Sequence, residues 1–223
     1  MVGGGPLRIP NYFINKNLHH PASGKFQNSV VLGLGSGTGI VGISAALTGA
    51  NVILTDIPEA IAPLTANIER NRDGIQAAGG SAVGRAWDWT GVEAVPLQPL
   101  RSDGLRGPSP SSFILGSDLV YATHQSLQLS RALKSAATAW PGSTILVAHK
   151  HRSEEVDLSL LGCLSNEGFI VEKEADVVEL KHQSKTSSGT GHDESVEASE
   201  SALLRLLLKH PNVCIYRMRL KTM

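Results

Sequence analysis

The chain has 223 residues, 41% of them apolar, with 20 basic and 20 acidic side chains and a formal net charge of zero. That length suits one ordinary domain with a sizeable core, and the charge balance leaves no electrostatic footprint for nucleic acid or a membrane surface. No apolar run approaches the roughly 18 residues of a membrane span, and the two cysteines, Cys163 and Cys214, make neither a disulfide framework nor a metal-ligand spacing.

Residues 1–28 are rich in Gly, Pro, Asn and His and read as a short irregular segment ahead of one domain over 29–223. A basic region followed by an apolar one is missing at the N-terminus, so a cytoplasmic, reducing setting is the expectation. The first strand is predicted over 29–34, and a glycine-rich turn leads into a helix over 38–47 that Gly49 and Ala50 close. Residues 51–55 read as a short apolar strand, as in a sheet buried on both faces. Pro58 and Glu59 then open a helix carrying Ile61, Leu64, Ile68 and Asn71 at helical spacing.

A weak third strand follows over 82–86, then a loop over 91–111 dense in Pro, Gly and Ser. The pattern continues as strand 112–120, helix 124–140 stopped by Pro141-Gly142, strand 143–148 and helix 154–166, with one or two strands over 169–180. A polar insert, predicted to be mobile, spans 183–200, with a short leucine-rich helix over 203–208 and a last strand over 213–220. Alternating strands and helices specify a parallel α/β sheet. Two strands at the end with only a polar insert between them specify an antiparallel hairpin.

The chemistry concentrates in Leu32-Gly33-Leu34-Gly35-Ser36-Gly37-Thr38-Gly39-Ile40-Val41-Gly42, followed by Thr55-Asp56. So many glycines on one turn are costly without a reason for close backbone approach. Gly37, Gly39 and Gly42 match the dinucleotide pattern literally. That pattern, however, opens directly after its strand and has its acid about 20 residues on, whereas Asp56 stands 14 residues after Gly42. Taking Gly35, Gly37 and Gly39 as the operative turn fits a cofactor without pyrophosphate, such as S-adenosylmethionine, with its carboxylate at the helix start. Asp56 at the tip of the second strand would then accept hydrogen bonds from the ribose hydroxyls, or alternatively cap the helix near Pro58.

With Leu64-x-x-Asn67-Ile68-x-x-Asn71, this run resembles the seven-β-strand (class I) methyltransferases, and among them the non-histone protein lysine methyltransferases. Trp87-Asp88-Trp89 stands where that family has a tryptophan against the adenine, and Ser117-Asp118-Leu119-Val120-Tyr121 where it has an Asp-x-x-Tyr motif beside the substrate channel. His149-Lys150-x-Arg152 is similar to its basic tail after the fifth strand. The resemblance implies a Rossmann-like, doubly wound, mostly parallel seven-stranded sheet. It implies that S-adenosylmethionine is the cofactor, held by Gly35, Ser36, Gly37, Asp56, Trp89 and Ser117, and that Asp118 and Tyr121 serve catalysis on a lysine of a protein substrate. The expected protein is a monomer with no nucleic-acid or membrane partner and no metal. A small-molecule methyltransferase of the same fold, and a non-catalytic cofactor-binding or interaction domain, remain alternatives.

Two features depart from the family. Gly33 stands where the family carries an acid that helps anchor the methionine amino group, and residues 1–28 contain no tryptophan where the family has a tryptophan-bearing helical cover. The sequence around 149–152 reads either as a guide for an acidic protein segment or as a solvated turn.

Overall fold

The computed structural model describes residues 26–90, 112–177 and 213–221. The expectations for residues 1–25, 91–111, 183–200 and 203–208 lie outside the described residues. The elements run β1 (Val30–Leu34), α1 (Ile40–Ala46), β2 (Asn51–Asp56), α2 (Pro58–Arg70), α3 (Arg72–Ala77), β3 (Ser81–Ala86), β4 (Ser112–Ser117), α4 (Thr123–Ala139), β5 (Thr144–Lys150), α5 (Glu154–Asn166), β6 (Phe169–Val177) and β7 (Val213–Leu220).

The seven strands form one sheet in the order β3-β2-β1-β4-β5-β7-β6. β1 through β5 are mutually parallel, and β7 runs antiparallel to both β5 and β6. The parallel sheet with its antiparallel C-terminal hairpin is what the pattern of elements predicted, and its Rossmann-like, doubly wound, seven-stranded form is what the resemblance implied. The strand order reverses between β1 and β4, and in open α/β sheets ligands bind at the strands' C-terminal ends at such a switch point.

Alternation along the strands builds a core on each face. Val30, Leu32 and Leu34 of β1, Ile53, Ile114, Ile145 and Val147 pack with Leu129, Leu133 and Ala136 of α4 and Val156, Leu160 and Leu164 of α5. Val31, Val52, Leu54, Phe113, Leu115 and Leu146 point the other way, onto Ile43 and Ala46 of α1, Leu64 and Ile68 of α2 and Ile75 of α3. The near-continuous apolar runs of β1, β2, β4 and β5 follow from this burial on both faces.

Two differences from the sequence expectation go beyond one or two residues at an element's end. β4 stops at Ser117 because Asp118 takes a left-handed backbone conformation with φ of 54°, although Leu119 and Val120 continue the apolar pattern and are buried. After α2 a separate short helix, α3, was not expected. Asn71 breaks the helical geometry between the two, and Ile75 then anchors α3 in the core.

Candidate active site

The turn after β1 is held from beneath. Thr55 Oγ1 donates to the Gly33 carbonyl at 2.6 Å, Ser36 Oγ donates to the same oxygen at 3.3 Å, and the Ser36 amide donates to the Thr55 carbonyl at 2.9 Å. Gly35 and Gly37 have φ of 53° and 54°, a region costly for any residue with a Cβ. They differ in surroundings. A Cβ on Gly35 would stand 2.5 Å from Leu119 Cδ2, whereas one on Gly37 would meet nothing within 4 Å. A side chain at 35 would have to displace the buried Leu119 side chain, whereas Gly37 leaves open space above the turn.

Asp56, at the tip of β2, accepts from the Gly37 amide through Oδ2 at 2.6 Å and from the Ile57 amide through Oδ1 at 2.8 Å. It thus ties the turn to β2 and caps no amide inside α2. A carboxylate offers about four lone-pair sites, so acceptor capacity remains on both oxygens. Asn67 Nδ2, on α2, donates to the Thr38 carbonyl at 2.9 Å and steadies the far side of the turn.

A cleft of about 240 Å³ opens at the switch point, and Gly35, Ser36, Gly37, Ser117, Asp118 and Tyr121 all line it. Asp56 joins this group through Gly37 but does not line the cleft. Trp89 is half-buried and has its Nε1 3.9 Å from where a Gly35 Cβ would stand. Trp87 is only 2% exposed. Its amide donates to the Asp56 carbonyl at 2.7 Å, and its indole Nε1 is buried without a partner. The two tryptophans therefore separate into a core plug and a residue flanking the turn. Trp140 is fully buried in the α4-side core.

The other wall is built after β4. The Asp118 amide donates to the Ala148 carbonyl of β5 at 2.8 Å, and the amides of Tyr121 and Ala122 donate to Gln125 Oε1 at 2.7 and 3.1 Å. These bonds set the turn that delivers Asp118 and Tyr121 to the cleft. Tyr121 is 57% exposed, which excludes a core role. Asp118 does not cap α4. Its Oδ1 accepts from Arg152 Nη2 at 2.7 Å, and the Arg152 guanidinium lies 4.5 Å from the centroid of the Tyr121 ring. Partial burial pushes the Tyr121 phenol up from its ordinary value, the Asp118 charge adds to this, and Arg152 opposes it.

In the segment 149–152, Lys150 and His151 are exposed as a solvated turn would have them, but His149 and Arg152 are not. His149 is buried, with Nε2 2.8 Å from Asp157 Oδ1, and His151 Nδ1 contacts the other oxygen of Asp157. Burial would raise the Asp157 carboxyl, but the two histidine hydrogen bonds outweigh it and hold the group below the usual carboxylate range. Among the described residues no cluster of His, Cys, Asp and Glu is placed to hold a metal ion, and no helix is long and apolar enough to cross a membrane.

Gly33 lines the same cleft. A Cβ there would stand 3.0 Å from both Leu54 Cδ2 and Ser36 Oγ. The room that a side chain would need first is thus taken by these two neighbours.

A family model described as lysine methyltransferase matches residues 8–165. The chain belongs to this family. It is 32% identical over 153 residues to mouse EEF1A lysine methyltransferase 3, covering 69% of this chain and 56% of the mouse protein. It is 40% identical over 123 residues to protein N-lysine methyltransferase METTL21A of Xenopus tropicalis, covering 54% and 47% of the two chains. The chain spans about half the length of such curated relatives. Among solved structures it is similar to a TehB-like SAM-dependent methyltransferase from Corynebacterium glutamicum, with TM-score 0.55, 13% identity and coverage of 98% and 90%. It is also similar to the Synechocystis magnesium protoporphyrin IX methyltransferase with bound SAM, with TM-score 0.52, 13% identity and coverage of 99% and 87%. At such identities these likenesses establish the fold, which agrees with the seven-stranded sheet.

The site suits the family's cofactor in two respects. The open space over Gly37 permits close backbone approach, and Asp56 keeps free acceptor positions beside it. Sequence reasoning missed the link between Arg152 and Asp118, residues 34 positions apart that only the β4–β5 pairing brings together.

Proposed function

We propose that this protein transfers methyl groups to lysine side chains of a non-histone protein. The observation that carries the reading is that the glycine turn, Asp118 and Tyr121 line one cleft in a chain of the lysine methyltransferase family. When bound, S-adenosylmethionine supplies an electrophilic methyl group, whose bond to sulfur breaks with its electron pair going to sulfur as the lysine nitrogen bonds the carbon. Gly35, Ser36, Gly37, Asp56, Trp89 and Ser117 would hold it: the bare backbone of the glycine turn would allow close approach, Asp56 would accept from its ribose, Trp89 would flank its adenine and Ser117 would border it.

Such a displacement needs a nucleophile aligned with the methyl group and stripped of water. It also needs the neutral amine, although a free lysine has a pKa of about 10.4. Burial beside the Tyr121 ring disfavours the charged form, and Asp118 orients the incoming nitrogen as a hydrogen-bond acceptor. Neither residue is required as an obligatory general base. We assign the protein to the cytoplasm as a monomer with no nucleic-acid partner. EEF1A, the acceptor in the mouse relative's name, is the first acceptor to try.

The test is transfer of tritiated methyl to recombinant EEF1A and to a heat-treated lysate, with Asp118→Ala as control. Label in protein that the variant loses supports the reading, and equal label from both sinks the catalytic assignment. Label confined to small metabolites would mark a small-molecule enzyme instead. Gly33, in the place of the family's acid, favours one rival, a non-catalytic domain. Micromolar binding of S-adenosylhomocysteine by calorimetry argues against that rival.

A further inference from the structure

Arg152 lies outside the residues that line the cleft, yet it touches both acceptor-side residues that do. Its Nη2 donates to Asp118 Oδ1 at 2.7 Å, and its guanidinium lies over the Tyr121 ring at 4.5 Å. Its Nε is buried with no partner, so the pairing with Asp118 is one-sided rather than a two-pronged clamp. Arg152 sits between the end of β5 and Ser153, whose hydroxyl caps α5 by accepting from the Val156 amide. Its backbone is therefore held at both ends. Asp118 is held in a costly left-handed conformation. A strained carboxylate is aimed at the cleft and a cation is placed behind it.

The chemistry gives this pairing a purpose. An unpaired carboxylate beside the acceptor nitrogen would stabilise the ammonium and raise the lysine pKa. That would tighten substrate binding while removing the lone pair that attacks. A carboxylate paired with a guanidinium still accepts a hydrogen bond but carries little net charge towards the cleft. We infer that Arg152 is a positioning residue of the acceptor site, compensating the Asp118 charge so that the bound lysine gives up its proton. The proton passes to water, and the freed lone pair makes the bond to the methyl carbon. This inference rests on the proposed lysine methylation at Asp118 and Tyr121.

The other titratable and charged groups on the elements around Arg152 include Glu154, Glu155, Asp157 and Cys163 on α5, His124, Arg131 and Lys134 on α4, Cys214, Tyr216 and Arg217 on β7, and His149 and Lys150 of β5 with His151 after it, the two histidines being tied to Asp157. They are common to wild type and variants, so a comparison of pH profiles isolates Arg152.

The experiment measures kcat and KM from pH 6.5 to 9.5. The acceptor is recombinant EEF1A or, if the lysate assay labels another protein more strongly, that protein. In Arg152→Met the rising limb of kcat moves up by about one pH unit, so that kcat at neutral pH falls about tenfold while KM holds or drops. Arg152→Lys returns the limb to its wild-type position. A second reading needs no turnover. The phenol titration of Tyr121, taken by ultraviolet difference against Tyr121→Phe, moves upward in Arg152→Met because an opposing cation is lost. An unmoved limb in Arg152→Met, or kcat and KM changing so as to mimic simple loss of fold, overturns the inference while leaving lysine methylation intact. An unmoved Tyr121 titration overturns the geometry behind it. Failure of the wild type to label any protein at any pH overturns the proposed function and this inference together.

Discussion

Gly35→Ala isolates the contact on which the cofactor turn rests. Two costs add. The backbone has φ of 53°, a conformation that costs a residue with a Cβ about 1–2 kcal/mol. The new Cβ would also stand 2.5 Å from Leu119 Cδ2, and Leu119 is 7% exposed within the main core, so overpacking adds about 1–3 kcal/mol. The expected loss is about 2–5 kcal/mol. Leu119→Ala alone costs about 2–5 kcal/mol by leaving a cavity. In the double variant the alanine at 35 has room, so the two losses fall short of additivity by about 1–3 kcal/mol. Urea denaturation of the four proteins, followed by circular dichroism, measures the coupling. Additivity within about 0.5 kcal/mol would refute the claim that Leu119 packs under Gly35 and dictates glycine there. Gly37→Ala serves as the contrast, because its Cβ meets nothing within 4 Å and only the backbone cost of about 1–2 kcal/mol remains.

Asp56→Ala removes the acceptor of the Gly37 amide and weakens S-adenosylhomocysteine binding by about tenfold to a hundredfold, since hydrogen bonds to charged groups contribute about 1.5–3 kcal/mol. Calorimetry reads this, and unchanged affinity would remove Asp56 from the cofactor site. The Asp157 carboxyl is held below its ordinary value of 3.8 by His149 and His151, against the opposing effect of burial. A depressed folded-state value contributes stability that is complete above the unfolded value and lost as pH falls through the folded one. Denaturation midpoints of the wild type therefore drop below about pH 4, and Asp157→Asn flattens that drop. Trp87→Phe deletes a buried indole N–H that has no partner. Relief of that group, about 1–3 kcal/mol, offsets the lost packing, and thermal melts should place the net change within about 1 kcal/mol.

Hydropathy and glycine placement made most of the sheet legible. β1, β2, β4 and β5 are short apolar runs because both faces are covered, and that signature is local. What was not legible depends on backbone angles or on distant partners. Leu119 and Val120 extend the apolar run after Ser117, but the left-handed turn at Asp118 that ends β4 leaves no hydropathy signal. α3 follows Asn71 and contains Gly74, residues that read as a break, and only Ile75 in the core shows why the chain turns helical again. At the site, Gly35, Ser36, Gly37, Ser117, Asp118 and Tyr121 were found from spacing and resemblance, and they do line one cleft. Arg152 sat in a basic run that read as a guide for an acidic segment or as a solvated turn, because its pairing with Asp118 exists only once β4 and β5 lie side by side.

The place of β7 has a consequence for biogenesis. β5 and β6 do not pair with each other, and each meets β7, which follows β6 only after residues 178–212. Until β7 has been synthesised, a growing chain holds β5 with one open edge and β6 without its ladder, and open edges invite pairing with other chains. The cofactor turn and the acceptor turn are encoded well before that point, in residues 33–56 and 117–152. A premature stop between β6 and β7 would therefore yield a chain that carries every proposed site residue and still aggregates.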